Sequence, residues 1–478
     1  MSSATAGPSA PTREEPASRP LMGLPQATAL IVGSIIGVGI FNLPGSLSAY
    51  GPITLLSMGL VTVGALALAL LFAALSRRLP ADGGPYAYSR AAFGNGIGFA
   101  NAWSYWITAW AGNAAIVTGW VLYVEYLVTR SGTNPPLAKW ALIVIALVGL
   151  WVPALINLNG VSGMASVQVV TTILKFAALA AVCVVGVFFI KTANYHPWNV
   201  SGGTNLSAVG TGLSLGLFSY LGVECAAVAA GKVRDPNRNV PKASIFGTLA
   251  CAAVYLVSLF VVFGVVPTSE LATSNAPFAT AVNTMFGGSW AGYVMGVAVV
   301  ISGFGALNGW TMICAEMPYA AAKDGLFPQQ FARLSKRGVP AFGIIASTLL
   351  ASVFTVFSYL GSAGYTVFNT LVFMSGITAA IPYGFSALAQ IKWRVRDGRE
   401  LNTPRVARDV AVAVVAVVFS VLFIWYSRNT GETAAWKVWL PFIFCGVAFL
   451  LGIPVYLGQR SHMGEPEPVP SYAPPSGS

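Results

Sequence analysis

The stretch Gly33-Ser-Ile-Ile-Gly-Val-Gly-Ile-Phe41 interrupts the first long hydrophobic segment of the chain. It places three glycines within seven residues, and glycine destabilises a helix interior by about 1 kcal/mol relative to alanine. Backbone released from helical hydrogen bonds inside a bilayer must find partners beside a cavity or among packed side chains. Two interpretations are open for this segment alone: a broken helix that binds a ligand, or a small-residue stripe that packs against another helix.

The composition indicates an integral membrane protein. Of 478 residues, 56% are hydrophobic and 9% are charged, whereas soluble domains carry about 25% charged residues. The five cysteines form no C-x-x-C pair and there are two histidines, so we expect no metal site, disulfide framework or cofactor. Both histidines, His196 and His462, lie outside the apolar segments, and no nucleophile–base pair or phosphate loop accompanies them. The sequence therefore does not predict an enzyme.

Apolar runs of about 20 residues predict twelve membrane-spanning helices. Their predicted bounds are 25–48, 52–76, 97–128, 138–157, 167–190, 209–231, 243–265, 288–322, 340–359, 364–390, 409–427 and 434–457. With the N-terminus inside, 20 of the 26 lysines and arginines fall on the cytoplasmic side. This asymmetry predicts a multi-pass protein of the cell inner (plasma) membrane with both termini cytoplasmic. It also explains the net charge of +11 without a nucleic-acid partner.

A second interruption, Ser214-Leu-Gly-Leu-Phe-Ser-Tyr-Leu-Gly-Val-Glu224, lies in the predicted sixth helix and ends on a carboxylate. If helices 1–5 and 6–10 are repeats, both interruptions occupy the first position of their half. Matching breaks in two halves are typical of inverted-repeat transporters that bind substrate at the repeat interface. The pairing therefore favours the ligand-binding interpretation of the first break.

The first break is similar to the helix 1 signature of the amino acid–polyamine–organocation (APC) superfamily. Other stretches resemble the bacterial arginine/agmatine antiporters of that superfamily: Gly83-Gly-Pro-Tyr-Ala-Tyr-Ser-Arg90, Tyr105-Trp106 with Gly112-Asn113, Gly222-Val-Glu-Cys-Ala-Ala-Val-Ala-Ala-Gly231, Asn237-Arg-Asn-Val-Pro241, Gly309-Trp-Thr311 and Ala320-Ala-Ala-Lys-Asp-Gly-Leu-Phe-Pro328.

The resemblance implies an all-α integral membrane fold of twelve transmembrane helices. Ten would form a five-plus-five inverted repeat with broken helices 1 and 6, and two would be peripheral. We accordingly expect a ten-helix transport core at 21–400 and two peripheral helices at 401–458. Disordered cytoplasmic tails are expected at 1–20 and 459–478, where the sequence is rich in proline and serine. A homodimer is compatible with the resemblance.

The resemblance also implies that the opened backbone of helix 1 receives a substrate carboxylate at Ile35, Val38 and Gly39. Helix N-termini carry partial positive charge, which suits an anion. The antiporters have a serine where this chain has Val38, so we expect the contact to depend on backbone groups. The substrate α-amino group is expected at the carbonyls that end the first half-helix and at those of residues 218–221, including Leu221.

Three side chains are carried over as candidate substrate contacts. Asn113 matches a substrate-contacting asparagine, although an interhelical hydrogen bond is the alternative. Phe218 stands where the antiporters have a gating tryptophan. Trp310 matches their aromatic platform, and an aromatic face attracts a guanidinium or ammonium group by about 0.5–2 kcal/mol. Plain packing is the alternative for Trp310.

Two charged residues inside the predicted spans are candidates for gating or proton coupling. Glu224 is costly at mid-membrane depth, by about 2.5 kcal/mol or more. It can serve as a proton carrier, a gate, a counter-charge or a structural hydrogen-bond partner. Lys175 resembles the helix 5 lysine of L-type exchangers and cationic amino acid transporters, where an ammonium replaces the cation of sodium-coupled relatives. The carbonyls of a broken helix 1 would accept hydrogen bonds from this ammonium. A lysine that extends to the membrane interface is the alternative.

These residues predict a sodium-independent amino acid transporter working by alternating access. The favoured form exchanges a cationic, arginine-like amino acid against its amine or another amino acid. The alternative is a proton-coupled symporter of broader specificity, with protons as the second partner. We expect Glu125 to be an outer structural group, and Glu316 to be a weaker candidate for an inner gate. An ion channel is disfavoured because glycine breaks and aromatic lids suit occlusion.

Overall fold

The computed structural model describes residues 21–129, 135–361, 365–397, 404–428, 438–466 and 469, without the side chains of 161–165, 361, 365–367 and 404–405. The N-terminal tail at 1–20 and most of the C-terminal tail expected to be disordered lie outside these residues. The described chain is helical, apart from turns and one isolated bridge between Met22 and Val233.

The helices follow the hydrophobic segments and are numbered in chain order. They are α1 (Leu24–Ile35), α2 (Gly39–Ser48), α3 (Thr54–Arg78), α4 (Pro85–Phe93), α5 (Asn95–Val128), α6 (Lys139–Leu158), α7 (Val161–Gly186), α8 (Asn205–Phe218), α9 (Cys225–Val228), α10 (Pro236–Val265), α11 (Thr268–Leu271), α12 (Pro277–Phe286), α13 (Trp290–Lys323), α14 (Ala341–Gly361), α15 (Tyr365–Asp397), α16 (Pro404–Tyr426), α17 (Leu440–Leu450) and α18 (Gly452–Gln459).

Eleven segments of the described chain are long and apolar enough to cross a membrane. The α1–α2 pair forms one of them, and α17–α18 forms another. The predicted sixth span corresponds to α8 and α9, which six non-helical residues separate. The all-helical membrane fold is therefore confirmed, while the count of twelve spans and the inverted repeat stay predictions.

The three short helices α4, α11 and α12 lie outside the predicted spans, because they are much shorter than the roughly 20 residues that cross a membrane. Helix α4 joins the second and third spans, and α12 precedes α13 at the opposite end of the bundle. Both begin with proline at the first helical position, where the missing N–H costs nothing and the fixed φ favours a helix. The same preference starts α10 at Pro236, seven residues before the predicted bound.

Helix α5 lies in the interior of the bundle between α13 and α15. Within its apolar membrane-spanning part, 89% of the α5 residues are buried, compared with 28% in α16 and 22% in α17–α18. The last two spans are therefore much more exposed at the outside of the bundle. Helix α16 packs on α3, α8 and α15, and α17 packs on α15. Both interruptions, in α1–α2 and in α8–α9, lie on the buried side of the bundle.

Part of the C-terminal tail differs from the expectation of disorder. Helix α18 continues to Gln459, and the chain beyond it turns back onto the bundle, where Gly464 hydrogen-bonds to Arg90 and Asn95. Specific polar partners, which composition alone does not reveal, hold this segment.

Candidate functional site

The first break comprises residues 36–38, between the end of α1 at Ile35 and the start of α2 at Gly39. Ile36 leaves the helical conformation with φ −77° and ψ 82°. The interruption therefore falls inside the glycine-rich stretch from Gly33 to Phe41, as the sequence predicts.

Side chains from other helices satisfy the carbonyl groups exposed by this break. The donor–acceptor pairs are Lys175 Nζ with the Gly33 and Ile36 oxygens (2.9 and 2.7 Å), Trp310 Nε1 with the Ser34 oxygen (3.1 Å) and Tyr255 OH with the Ile35 oxygen (2.7 Å). The Val38 oxygen is bound within α2, by the backbone N–H and the Nδ2 of Asn42 (3.1 and 3.0 Å). The Ile35 oxygen also accepts from the Gly37 N–H at 2.9 Å, so its two lone pairs are both used. The oxygens of Gly33, Ser34 and Ile36 each keep a lone pair that a ligand ammonium can use.

The N–H groups at the start of α2 are in a different situation. Among the described residues, the N–H groups of Gly39 and Ile40 have no hydrogen-bond acceptor. The first N–H groups of any helix lack an intrahelical partner, and together with the helix dipole they favour an anion. The break thus presents acceptors at the end of α1 and free donors at the start of α2.

The second break joins α8 to α9 through residues 219–224 and contacts the first one directly. Gly222 has φ +117°, a conformation that side-chain-bearing residues rarely adopt. A methyl group at position 222 would lie 2.8 Å from Ser34 Cβ and 3.1 Å from the Ile35 nitrogen. Glycine at this position therefore allows the two interruptions to touch.

A small cavity lies where the two breaks meet. It is lined by Ser34, Ile35, Gly37, Gly39, Gly112, Ile116, Phe218, Leu221 and Trp310 and has a volume of about 10 Å³. One buried water molecule needs about 10–15 Å³. The described conformation is therefore closed around its centre, and an amino acid requires an expansion of this cavity.

Five of the predicted substrate residues line this cavity: Ile35, Gly39, Phe218, Leu221 and Trp310. Two do not. Val38 is fully buried, and its side chain packs against Gly119 and Gly303. Asn113 directly follows the lining residue Gly112, and its Nδ2 donates to Cys314 Sγ at 3.4 Å while its Oδ1 has no partner among the described residues.

Phe218 and Phe368 form an aromatic layer beside the cavity. Their ring centroids are 6.0 Å apart with an interplanar angle of 89°, the edge-to-face arrangement that aromatic pairs prefer. Phe218 ends α8 and Phe368 lies on α15, so the layer joins the second break to a neighbouring helix. Because Phe218 also lines the cavity, moving it would open one side.

Glu224 forms a second layer, six residues further along the same segment. Its carboxylate accepts hydrogen bonds from Tyr105 OH at 2.6 Å, Tyr383 OH at 2.6 Å and the Gly222 N–H at 3.3 Å. The group is fully buried and does not line the cavity. The three donors belong to α5, α15 and the second break, so the carboxylate links these three elements.

A third layer lies towards the end of the bundle that carries most of the basic residues. Lys232, just beyond α9, forms an ion pair with Glu316 on α13. Nearby, the Gly83 N–H donates to the Val228 oxygen at 3.0 Å, and the Met22 N–H donates to the Lys232 oxygen at 2.8 Å. Glu125 is at the other end, where its Oε1 accepts from the Leu137 N–H at 3.0 Å.

Sequence reasoning missed the two tyrosines that bind Glu224. Tyr105 belongs to a quoted motif but carries no signal of its partner, and Tyr383 lies 159 residues after Glu224. It also missed four lining residues of the cavity: Ser34, Gly37, Gly112 and Ile116. Their positions one to three residues from predicted contacts were the available signal.

The sequence profile of the amino acid permease family matches residues 22–450. The chain belongs to this family. Because the family and the relatives described below are transporters, this amino acid permease is a multi-pass membrane transporter of amino acids or amines, and not an enzyme. The superfamily predicted from the sequence motifs is confirmed.

Named relatives match this permease over most of its length. A putative arginine/ornithine antiporter of Bacillus subtilis is 30% identical over 447 residues, which are 88% of this chain and 94% of the relative. An arginine/ornithine antiporter of Pseudomonas aeruginosa is 30% identical over 82% of this chain and 83% of its own length. The putrescine transporter PotE of Escherichia coli (strain K12) is 31% identical over 86% and 92%.

Proposed function

We propose that this permease is a sodium-independent exchanger of a cationic, arginine-like amino acid against its amine or another amino acid. The relatives named for arginine, ornithine and putrescine support a basic substrate. Ornithine and putrescine share a cationic side group, and putrescine lacks a carboxylate. A site that relies on aromatic and carbonyl groups for the cation could accept both kinds of molecule.

The observation that carries sodium independence is the position of Lys175. Its ammonium lies 2.9 Å from the Gly33 oxygen and 2.7 Å from the Ile36 oxygen, at the carbonyls exposed by the first break. Unwound carbonyls of this kind coordinate the coupling cation in many secondary transporters. A fixed ammonium here supplies the positive charge and repels a second cation, so the exchanger would not need sodium.

In the proposed binding pose, the substrate carboxylate meets the N–H groups at the start of α2. The backbone of Ile35, Val38 and Gly39 would form this part of the site, because Val38 has no hydroxyl group where the antiporters have a serine. The carbonyl groups at the end of α1 and near Leu221 would accept from the α-ammonium.

The cationic side group would extend along the face of Trp310. Stacking of this kind is worth about 0.5–2 kcal/mol and more when water is excluded. The unpaired Oδ1 of Asn113 is a candidate acceptor for the guanidinium once the cavity expands.

Alternating access would then use the three layers as gates. Phe218 with Phe368 would open towards one side, and Glu224 with its two tyrosines would open towards the other, followed by Lys232 with Glu316. The asymmetry of basic residues supports an orientation with both termini and the Lys232 layer in the cytoplasm. The proposal also includes location in the plasma membrane and assembly as a homodimer.

A proton-coupled symporter is the second candidate, and Glu224 is the observation that favours it. A buried carboxylate held by Tyr105 and Tyr383 can couple proton uptake to opening of the gate. Symport and exchange differ in whether an inward proton gradient is required.

A competition screen tests the proposed substrate class. Purified protein in liposomes would take up labelled arginine in sodium-free buffer while unlabelled arginine, ornithine, agmatine, putrescine, leucine and glutamate compete. We expect the four basic compounds to compete and the neutral and acidic amino acids not to compete. Preferential competition by leucine, or uptake that depends on sodium, would disprove the cationic sodium-independent exchanger.

A further inference from the structure

The described part of the C-terminal tail lies on the end of the bundle near the start of α5 and the end of α13. The Gly464 oxygen accepts from Arg90 Nη2 at 2.9 Å and from Asn95 Nδ2 at 3.0 Å. The Gly464 N–H donates to the backbone carbonyl oxygen of Asp324 at 3.2 Å. Both backbone groups of one residue are thus bound, which is how a surface recognises an extended peptide.

The surface that receives Gly464 is held rigid by its own polar contacts. Arg90 is 5% exposed, and it pairs with Asp324 Oδ2 at 2.8 Å and donates through Nε to Asn95 Oδ1 at 2.9 Å. Tyr86 OH donates to the same Asp324 carboxylate at 2.6 Å. Burial raises the pKa of Tyr86 above its usual value, so its hydroxyl stays a donor.

Two further contacts extend the docked segment on either side of Gly464. Gly325 has φ +79°, and a methyl group there would lie 2.1 Å from the His462 oxygen, so glycine lets the tail backbone approach this closely. On the other side, the Val469 oxygen accepts from Arg396 Nη2 at 3.1 Å, and Val469 is 8% exposed. Helices α13 and α15 are therefore both bound by the tail.

We propose that residues 460–466, together with Val469, form a latch whose receptor surface is Arg90, Asn95, Asp324 and Arg396. The latch joins the α4–α5 junction to the ends of α13 and α15, so separating these elements breaks its hydrogen bonds. Asp324 directly follows the end of α13. It lies eight residues after Glu316, which forms the third layer with Lys232. The docked latch stabilises the closed state of this end and slows its opening; this consequence rests on the proposed exchange cycle, whereas the docking does not.

Asn95→Asp in the full-length chain tests the docking. The aspartate keeps an oxygen for Arg90 Nε and suits the first turn of α5, but it has no N–H₂ to donate to Gly464. Asn205→Asp is the matched control because Asn205 is also the first residue of its helix, α8, and is exposed on the opposite end.

The readouts are hydrogen–deuterium exchange of residues 460–466 and the rate of arginine exchange in liposomes. We expect protected amides in the unchanged protein, about fivefold faster deuterium uptake in Asn95→Asp and no change in Asn205→Asp. Arginine exchange should be about two- to fivefold faster in Asn95→Asp. Two results would overturn the docking: unprotected amides in the unchanged protein, or the same rate of deuterium uptake in the unchanged protein and in Asn95→Asp.

Faster deuterium uptake with an unchanged arginine exchange rate would overturn the effect of the latch on opening. If the unchanged protein exchanges no arginine at all, the proposed function fails while deuterium exchange still reports on the docking.

Discussion

Gly222 lies directly against Ser34, so that the break between α8 and α9 touches the end of α1. A methyl group on Gly222 would be 2.8 Å from Ser34 Cβ. The two interruptions, 188 residues apart in the sequence, therefore form one continuous feature with the small cavity at their junction. This contact is the structural basis for treating both breaks as a single substrate site.

Gly222→Ala should disrupt this junction. The φ of +117° is strained for alanine, at a cost of about 1–3 kcal/mol, and the methyl group also collides with Ser34. We expect a lower melting temperature in detergent and little transport. Gly446→Ala on α17 is the control, since its methyl group would meet nothing within 4 Å. Equal stability of the two variants would argue against a tight junction.

Lys175→Ala should remove the donor to two carbonyl groups at the first break. A buried acceptor left without a partner costs about 1–3 kcal/mol, so thermal unfolding of the purified variant should occur at a clearly lower temperature. Transport should be lost because the end of α1 is no longer fixed. Lys139→Ala, at an exposed lysine, should behave as the unchanged protein. An active, equally stable Lys175→Ala variant would refute the role of the ammonium.

Glu224→Gln tests whether the second layer carries a proton. Glutamine retains the shape and an acceptor for Tyr105 or Tyr383, but its charge does not change with pH. We expect the variant to lose the part of the pH dependence of transport that protonation of Glu224 causes. Tyr383→Phe removes one hydrogen bond and keeps the carboxylate, so its pH dependence should persist. A Glu224→Gln variant with the original pH profile would assign proton coupling elsewhere.

Lys232→Met should weaken the third layer and favour opening at that end. Cys314 is 1% exposed and lies on α13 between Trp310 and Glu316, so it reports opening of that end. We expect faster labelling of Cys314 by a maleimide, measured by mass spectrometry of the peptide. Cys445, on the peripheral helix α17, supplies the reference rate in the same sample. Unchanged labelling of Cys314 would mean that the ion pair is no gate.

The sequence predicted the parts of the fold that depend on local chemistry. Glycine clusters located both breaks, and the isolated charges at Lys175 and Glu224 identified buried groups that need partners. The contact of Lys175 with helix 1 carbonyls was expected and is present.

Pairings between distant segments could not be read from the sequence in the same way. Hydropathy identifies a membrane-spanning helix but does not show which neighbouring helix each of its faces contacts. The sequence therefore gave no sign that Tyr383 binds Glu224. The docking of Gly464 depends likewise on backbone hydrogen bonds that any sequence could make, and proline-rich composition suggested disorder there. The binding roles of all seven predicted substrate residues remain predictions. Five of these residues line the closed cavity, whereas the side chains of Asn113 and Val38 do not.

The central claim, sodium-independent exchange, is tested most directly by counterflow in liposomes containing the purified protein. Labelled arginine would be added outside vesicles that are either empty or loaded with unlabelled arginine, in choline buffer without a pH gradient. The account predicts that internal arginine accelerates uptake severalfold and that adding sodium changes nothing. Uptake that requires an inward proton gradient and ignores internal arginine would contradict exchange and establish symport instead.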